Sequence, residues 1–270
     1  MDKHRSVTYF NTVRIRAAVV AAGSHFLLSV LLALLVGAFV FGIWYPSPFD
    51  ELSGGRELFW LILGVDVICG PLLTLVVFDP GKARRGLVRD LATIGALQMA
   101  ALFYGVWTVH EARPLYLVHE VDRFRVVGAP DYAGFDVKND LASLDDSLKV
   151  HLWRGPITVG VRRAADPTEH SRVLFEALSG GRDLAQRPNF YIPYDAAYAS
   201  QAMQRARPLV RFVERFPAAR ERVERALKSS GVAVADALFL PVVHRQEWIA
   251  LLDRQGRILG FVPGDGFAVP

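Results

Sequence analysis

Two hundred and seventy residues, 52% hydrophobic and only 21% charged, give a chain with a formal net charge of +4. A mean hydropathy of +0.25 at this length places part of the chain in lipid and excludes a disordered polypeptide. The slight, dispersed positive charge argues against nucleic acid as a partner. The single cysteine, Cys69, excludes an internal disulfide framework and a Cys-rich structural zinc site.

Three long apolar runs precede residue 110. The first, His25 to Trp44, carries no formal charge beyond His25 itself. The second, Leu58 to Phe78, holds one acid, Asp66, and the third, Leu91 to Val109, has Gln98 as its most polar member. Each approaches the ~20 residues that cross a hydrocarbon core, and none shows the polar stripe of a helix buried in a soluble protein. The first run outlasts the about 7–15 apolar residues of a signal peptide and ends in Trp44-Tyr45-Pro46. An aromatic pair suits the lipid–water boundary better than a cleavage site, so this run is expected to stay attached.

Basic residues set the expected orientation. Lys3, Arg5, Arg14 and Arg16 precede the first run, Arg56 is the only basic residue of the first loop, and Lys82, Arg84, Arg85 and Arg89 occupy the second. The alternation predicts a cytoplasmic N-terminus and an extracytoplasmic chain after Val109. The expected organisation is a cytoplasmic N-terminal segment 1–23, a three-helix transmembrane domain 24–110 and an extracytoplasmic α+β domain 111–270.

In the last of these, Leu115 to Val127 reads as one long strand and Ile157 to Val161 as another. Ala237 to His244 adds a further candidate. Glu247–Leu252 and Arg257–Val262 flank Asp253-Arg-Gln-Gly256, a hairpin signature with Gly256 supplying a positive φ. Helices are expected over Thr168–Ser179, Tyr194–Arg207 and Ala218–Ser229, with Pro208 and Pro217 breaking the stretch between the last two.

Asp66 is the most informative residue of the apolar half. Near the bilayer centre an ionised carboxylate costs at least ~2.5–3.5 kcal/mol. It is therefore expected to be protonated, paired or turned to the bundle interior, with Gln98 at similar depth. Gly64 and Gly70 allow close helix approach, and Pro71 removes one backbone bond. Gly64, Asp66, Gly70, Pro71 and Gln98 together form a candidate groove for a partner's transmembrane helix. A polar clamp between helices two and three accounts for the same residues, and a proton relay lacks the chain of ionisable groups it needs.

Catalytic signatures are missing. There is no Gly-x-Ser-x-Gly elbow, His-Glu-x-x-His, P-loop or Gly-x-Gly-x-x-Gly, so no catalytic, cofactor-binding or metal residues are assigned. His110, His119, His151, His170 and His244 lack ligand spacing and read as surface or interfacial, and Asp145-Asp146 reads as a solvated loop or cap. The run Arg205 to Lys228, eight basic residues against three acids, reads as a charged solvated face, with anionic lipid headgroups as the rival.

Several motifs combine into a familiar pattern. They are Trp44-Tyr-Pro46, Gly64-Val-Asp66 followed by Gly70-Pro-Leu-Leu-Thr74, Val77-Phe-Asp-Pro-Gly-Lys82, the stretch Ala112 to Val127, and Tyr191-Ile-Pro-Tyr194 with the Trp248–Val262 hairpin. The chain resembles the TfpX/TfpZ family of type IV pilin accessory proteins, densely over residues 24–128 and more thinly afterwards. His119 stands where an apolar aromatic is usual in that family. The resemblance implies a bacterial inner-membrane protein with a periplasmic C-terminal domain. It would act without cofactors in assembly, or in the extension–retraction balance, of its cognate major type IV pilin, with the lipid bilayer and the pilus assembly machinery as further partners. The alternatives are a membrane-anchored periplasmic ligand-binding sensor or transporter-associated subunit, and a hydrolase built from Asp and His residues of the C-terminal half.

Overall fold

The computed structural model describes residues 3–269, with side chains from residue 12 onward. Residues 1 and 2 of the expected N-terminal segment, and the side chains of Lys3 and Arg5, lie outside this range. Three helices match the apolar runs: α1 (Lys3–Phe39), which continues into a π-helical turn at Val40–Trp44, α3 (Gly55–Val77) and α4 (Arg84–Glu111). A four-residue helix, α2 (Phe49–Leu52), sits in the first loop. All three long helices have the length and composition to cross a membrane. At 1.5 Å per residue the 23 residues of α3 extend about 35 Å, enough for a hydrocarbon core of about 30 Å. Large apolar side chains such as Leu27, Leu34, Leu61, Val76 and Phe103 point outward along these helices. The first helix begins well before His25, where Arg14, Arg16, Ala17 and Ala18 are good helix formers.

The chain divides into two units. One is made of Met1–Gly42 with Arg56–His110, the other of Ile43–Gly55 with Glu111–Pro270. The second is an α+β unit on one mixed sheet. Its elements in chain order are β1 (Pro114–Glu120), β2 (Arg123–Gly128), α5 (Lys138–Ala142), β3 (Ile157–Val161), α6 (Pro167–Leu178), β4 (Tyr191–Pro193), α7 (Ala196–Ala202), β5 (Arg207–Pro208), α8 (Leu209–Arg215), α9 (Arg220–Leu227), β6 (Leu238–Val243), β7 (Glu247–Leu252) and β8 (Ile258–Pro263). The sheet order is β4-β3-β1-β2-β6-β7-β8, with β5 paired to β6. The pairs β1–β3 and β2–β6 are parallel and the others antiparallel.

Strand alternation sorts the core. Leu117, Phe124, Val126, Leu240, Val242, Ala250 and Leu252 form one cluster, capped by Phe49 and Leu52 of α2 and Ala202 of α7. The alternate positions Phe239, Ile249 and Leu251 pack against Leu209, Phe212, Val213, Val223 and Leu227 of α8 and α9. Tyr116, Val118, Ile157 and Val159 pack with Tyr132, Leu144 and Leu148 from the connections. The sheet is thus buried on both faces, as period-2 side-chain direction requires when both faces carry apolar residues.

The structure departs from the expected elements at two places. The stretch Leu115–Val127 is a hairpin rather than one strand, because the chain reverses at Val121-Asp122. Neither Gly nor Asn marks that turn, and Val121 takes φ +53. The stretch between Pro208 and Pro217 is also helical. Leu209, Phe212 and Val213 bury one face of α8, and tertiary packing outweighs the flanking prolines. The helix from Asp166-Pro167, the β6 strand and the Gly256 hairpin fall where expected, with Asp166 accepting from the Glu169 N–H and Gly256 at φ +79. A β-branched residue in the left-handed region stores about 1 kcal/mol or more. Val121→Asn is therefore expected to raise the unfolding free energy by about 1 kcal/mol, read from denaturant unfolding in detergent.

Candidate functional site

In the helical unit, the sequence-nominated residues separate into two sets. Gln98 of α4 donates from Nε2 to the Asp66 carbonyl at 3.1 Å, and it fills the space above Gly70, where an added Cβ would collide with its amide. Pro71 is buried beside them, and α3 runs through it unbroken. Gly70 is needed because a larger residue would expel Gln98. Gly64 lies apart, with nothing within 4 Å of the position a Cβ would take. Its neighbours Leu61, Val65 and Ile68 are more than half exposed, and Cys69 is exposed as well. The same unit holds contacts that composition did not announce. His25 Nδ1 meets Thr74 Oγ1 at 2.6 Å, and Gly105 admits the Ile62 side chain. Their signal was only a polar or small residue at matching depth on different helices.

In the α+β unit, the hairpin β1–β2, one side of α6 and the end of α7 line an open cavity of about 990 Å³. His119 and Tyr198 form part of its wall, and Val161, Leu174 and Phe190 supply apolar surface. His119 is 3% exposed, which corrects its reading as a surface or interfacial histidine. Its ring packs edge-on against Phe124 and Tyr198, at centroid distances of 5.2 and 5.5 Å, so it occupies an aromatic's place in an aromatic cluster. Its Nδ1 lies 3.1 Å from the Tyr198 hydroxyl, which also accepts from the Val161 N–H and donates to the His119 carbonyl. Its Nε2 is buried with no hydrogen-bond partner. Burial holds the imidazole down at about 4, against a weaker opposing pull from Asp122, so the ring is neutral at pH 7.

Charge lines the cavity's edge. Arg162 grips Glu169 through two bonds of 2.9 Å, which with the Ala165 N–H holds that carboxyl down at about 2. Arg125 reaches Glu120 at 3.0 Å and Asp183 at 3.6 Å. Arg163 and Arg205 also line the cavity and make no ion pair among the described residues. Helix α6 buries none of its residues, and Leu174, Phe175 and Leu178 are at least half exposed. No group of three or more His, Cys, Asp or Glu side chains suited to a metal ion occurs among the described residues. Such a cavity can bind an apolar segment bearing acidic groups.

Three apolar helices together with an α+β unit define a membrane-anchored protein with a folded domain outside the lipid. Its relatives identify it further. Residues 13–54 match the family of the fimbrial assembly protein FimB. The chain is 31% identical over 260 residues to the fimbrial assembly protein of serogroup I from Dichelobacter nodosus, covering 95% of this chain and 99% of that one. It is 30% identical, over the same shares, to the serogroup E1 protein of that organism. It is 38% identical over 121 residues to the protein of serogroups C1 and C2, covering 45% of this chain and 92% of that one. The chain belongs to the fimbrial assembly protein family, as its resemblance to type IV pilin accessory proteins implied. No solved structure matches it.

Proposed function

We propose that this is a non-enzymatic accessory protein of type IV pilus biogenesis in the bacterial inner membrane, with its N-terminus cytoplasmic and its α+β unit periplasmic. It assists assembly or the extension–retraction balance of its cognate major pilin by contact in the membrane and in the periplasm. The observation that carries this reading is similarity to fimbrial assembly proteins along 95% of the chain. In the membrane, the exposed face of α3 around Gly64, Leu61 and Ile68 suits a second helix. Asp66, Gly70, Pro71 and Gln98 act behind it as the clamp that sets the position of that face. In the periplasm, the cavity beside His119 offers apolar walls and the cations Arg163 and Arg205 to a protein segment.

Gln98→Ala, which removes the donor to the Asp66 backbone carbonyl and empties the space over Gly70, is expected in the native host to reduce surface pili and photo-crosslinking of pilin from positions 60 to 75, with pilin levels unchanged. Unchanged piliation and crosslinking would remove the membrane half of the proposal. A membrane-anchored sensor is the second reading, favoured by the size of the same cavity. It requires normal pili in the deletion strain and a metabolite-dependent melting shift of the purified protein.

A further inference from the structure

The chain between Leu148 and β3 makes a tight turn in which the Arg154 N–H bonds the His151 carbonyl at 3.2 Å. The two residues at its tip are Leu152 and Trp153, 44% and 71% exposed. Turn tips ordinarily carry Gly, Asn, Asp, Ser or Pro, whose backbone preferences or side-chain-to-backbone hydrogen bonds suit the turn. A leucine and a tryptophan there expose apolar surface at a cost of about 25 cal/mol per Å². The Trp44 indole N–H donates to the Leu152 carbonyl at 2.8 Å. Gly155, just past the turn, lies so close to the Ile43 carbonyl and the Pro46 ring that an added Cβ would collide with that carbonyl. Trp44 is the last residue of the first candidate membrane span, Thr12–Trp44. One hydrogen bond therefore ties the apolar turn to the point where that span ends, the depth at which tryptophan is favoured in bilayers.

We infer that Leu152 and Trp153 insert into the headgroup–acyl boundary of the bilayer and form a lipid-contacting foot of the α+β unit. The indole and the isobutyl group leave water, and the polar edge of the turn stays among headgroups. Arg154, whose Nη1 donates to the Ser147 carbonyl at 3.0 Å, borders the tip and suits lipid phosphates. The partner is the lipid itself, so the inference stands apart from which pilin is served.

The test is a nitroxide at position 153. Trp153→Cys in a Cys69→Ala background is labelled and reconstituted into liposomes of phosphatidylethanolamine and phosphatidylglycerol, and its collisions with oxygen and with a water-soluble nickel chelate are measured by power saturation. A lipid foot gives more oxygen than nickel collisions, the reverse of a free nitroxide in buffer. A ratio equal to that of the free nitroxide overturns the inference, whether the tip faces water or a hydrated protein surface. Should Trp153→Cys fail to reconstitute, a label at Leu152→Cys reads the same turn with the same two outcomes.

Discussion

Replacing His119 by Phe is expected to flatten the acid sensitivity of the α+β unit. The imidazole is neutral in the folded protein down to about pH 4, whereas in the unfolded chain it takes up a proton near its ordinary value of 6.5. Between those two values the unfolded state binds more protons, so stability falls as pH falls from 6.5 toward 4 and the full loss is present below 4. The lost free energy amounts to about 2 kcal/mol between pH 7 and pH 5, and about 3 kcal/mol at the acid limit. The substitution would remove this linkage and leave the carboxylates and His244, whose imidazole burial also holds below its ordinary value, to titrate. It would also delete a buried nitrogen that has no partner, a group that costs about 1–3 kcal/mol in general, and it would give up the contact with Tyr198. Unfolding of the two proteins at pH 7 and pH 5 checks this: their stability difference should widen in favour of His119→Phe at the lower pH. A difference that does not change with pH would mean that His119 titrates normally.

A mutation between two membrane helices is expected to unfold the distant-in-sequence α+β unit. Leu52 is fully buried and Phe49 nearly so, both within the core formed by Leu117, Leu240 and Trp248, and Phe49 meets the ring of Phe261 at 6.1 Å. Leu52→Ala leaves a cavity that this sheet cannot fill and should cost about 2–5 kcal/mol. The same physics predicts that a fragment beginning at residue 111 exposes the floor of this cluster and aggregates, and that a peptide spanning 43–55 added in trans restores solubility. Denaturant unfolding of the variant, and light scattering of the fragment with and without the peptide, measure the two effects. A soluble, cooperatively folding fragment without the peptide would show that α2 adds little to the core.

Much of this architecture was legible because its signals are local. An apolar run of about 20 residues has one low-energy solution in lipid, a helix, since the backbone must satisfy its own hydrogen bonds. Asp166-Pro167 starts α6 through a side-chain cap, and Gly256 turns the β7–β8 hairpin at a φ most residues resist. The β1–β2 turn was illegible for the complementary reason. Val121 has no local preference for its conformation, and the pairing of His119 with Phe124 across the hairpin imposes it.

The site divides in the same way. A shared depth for Asp66 and Gln98 could be counted from the helix ends, and the close approach at Gly70 followed from residue size. That Gln98 itself fills the space over Gly70, leaving Gly64 to face outward, depends on the rotation of one helix about its axis, which side-chain packing decides. The sequence alone determined a three-span anchor, an α+β partner unit and a resemblance to pilin accessory proteins, because hydrophobic periodicity and turn chemistry act within a few residues. The tertiary structure decided that α2 belongs to the β-sheet core, that His119 is buried beside a cavity and that Trp44 holds the Leu152–Trp153 turn. Those outcomes rest on burial shared among residues far apart in the chain, and no local pattern records it.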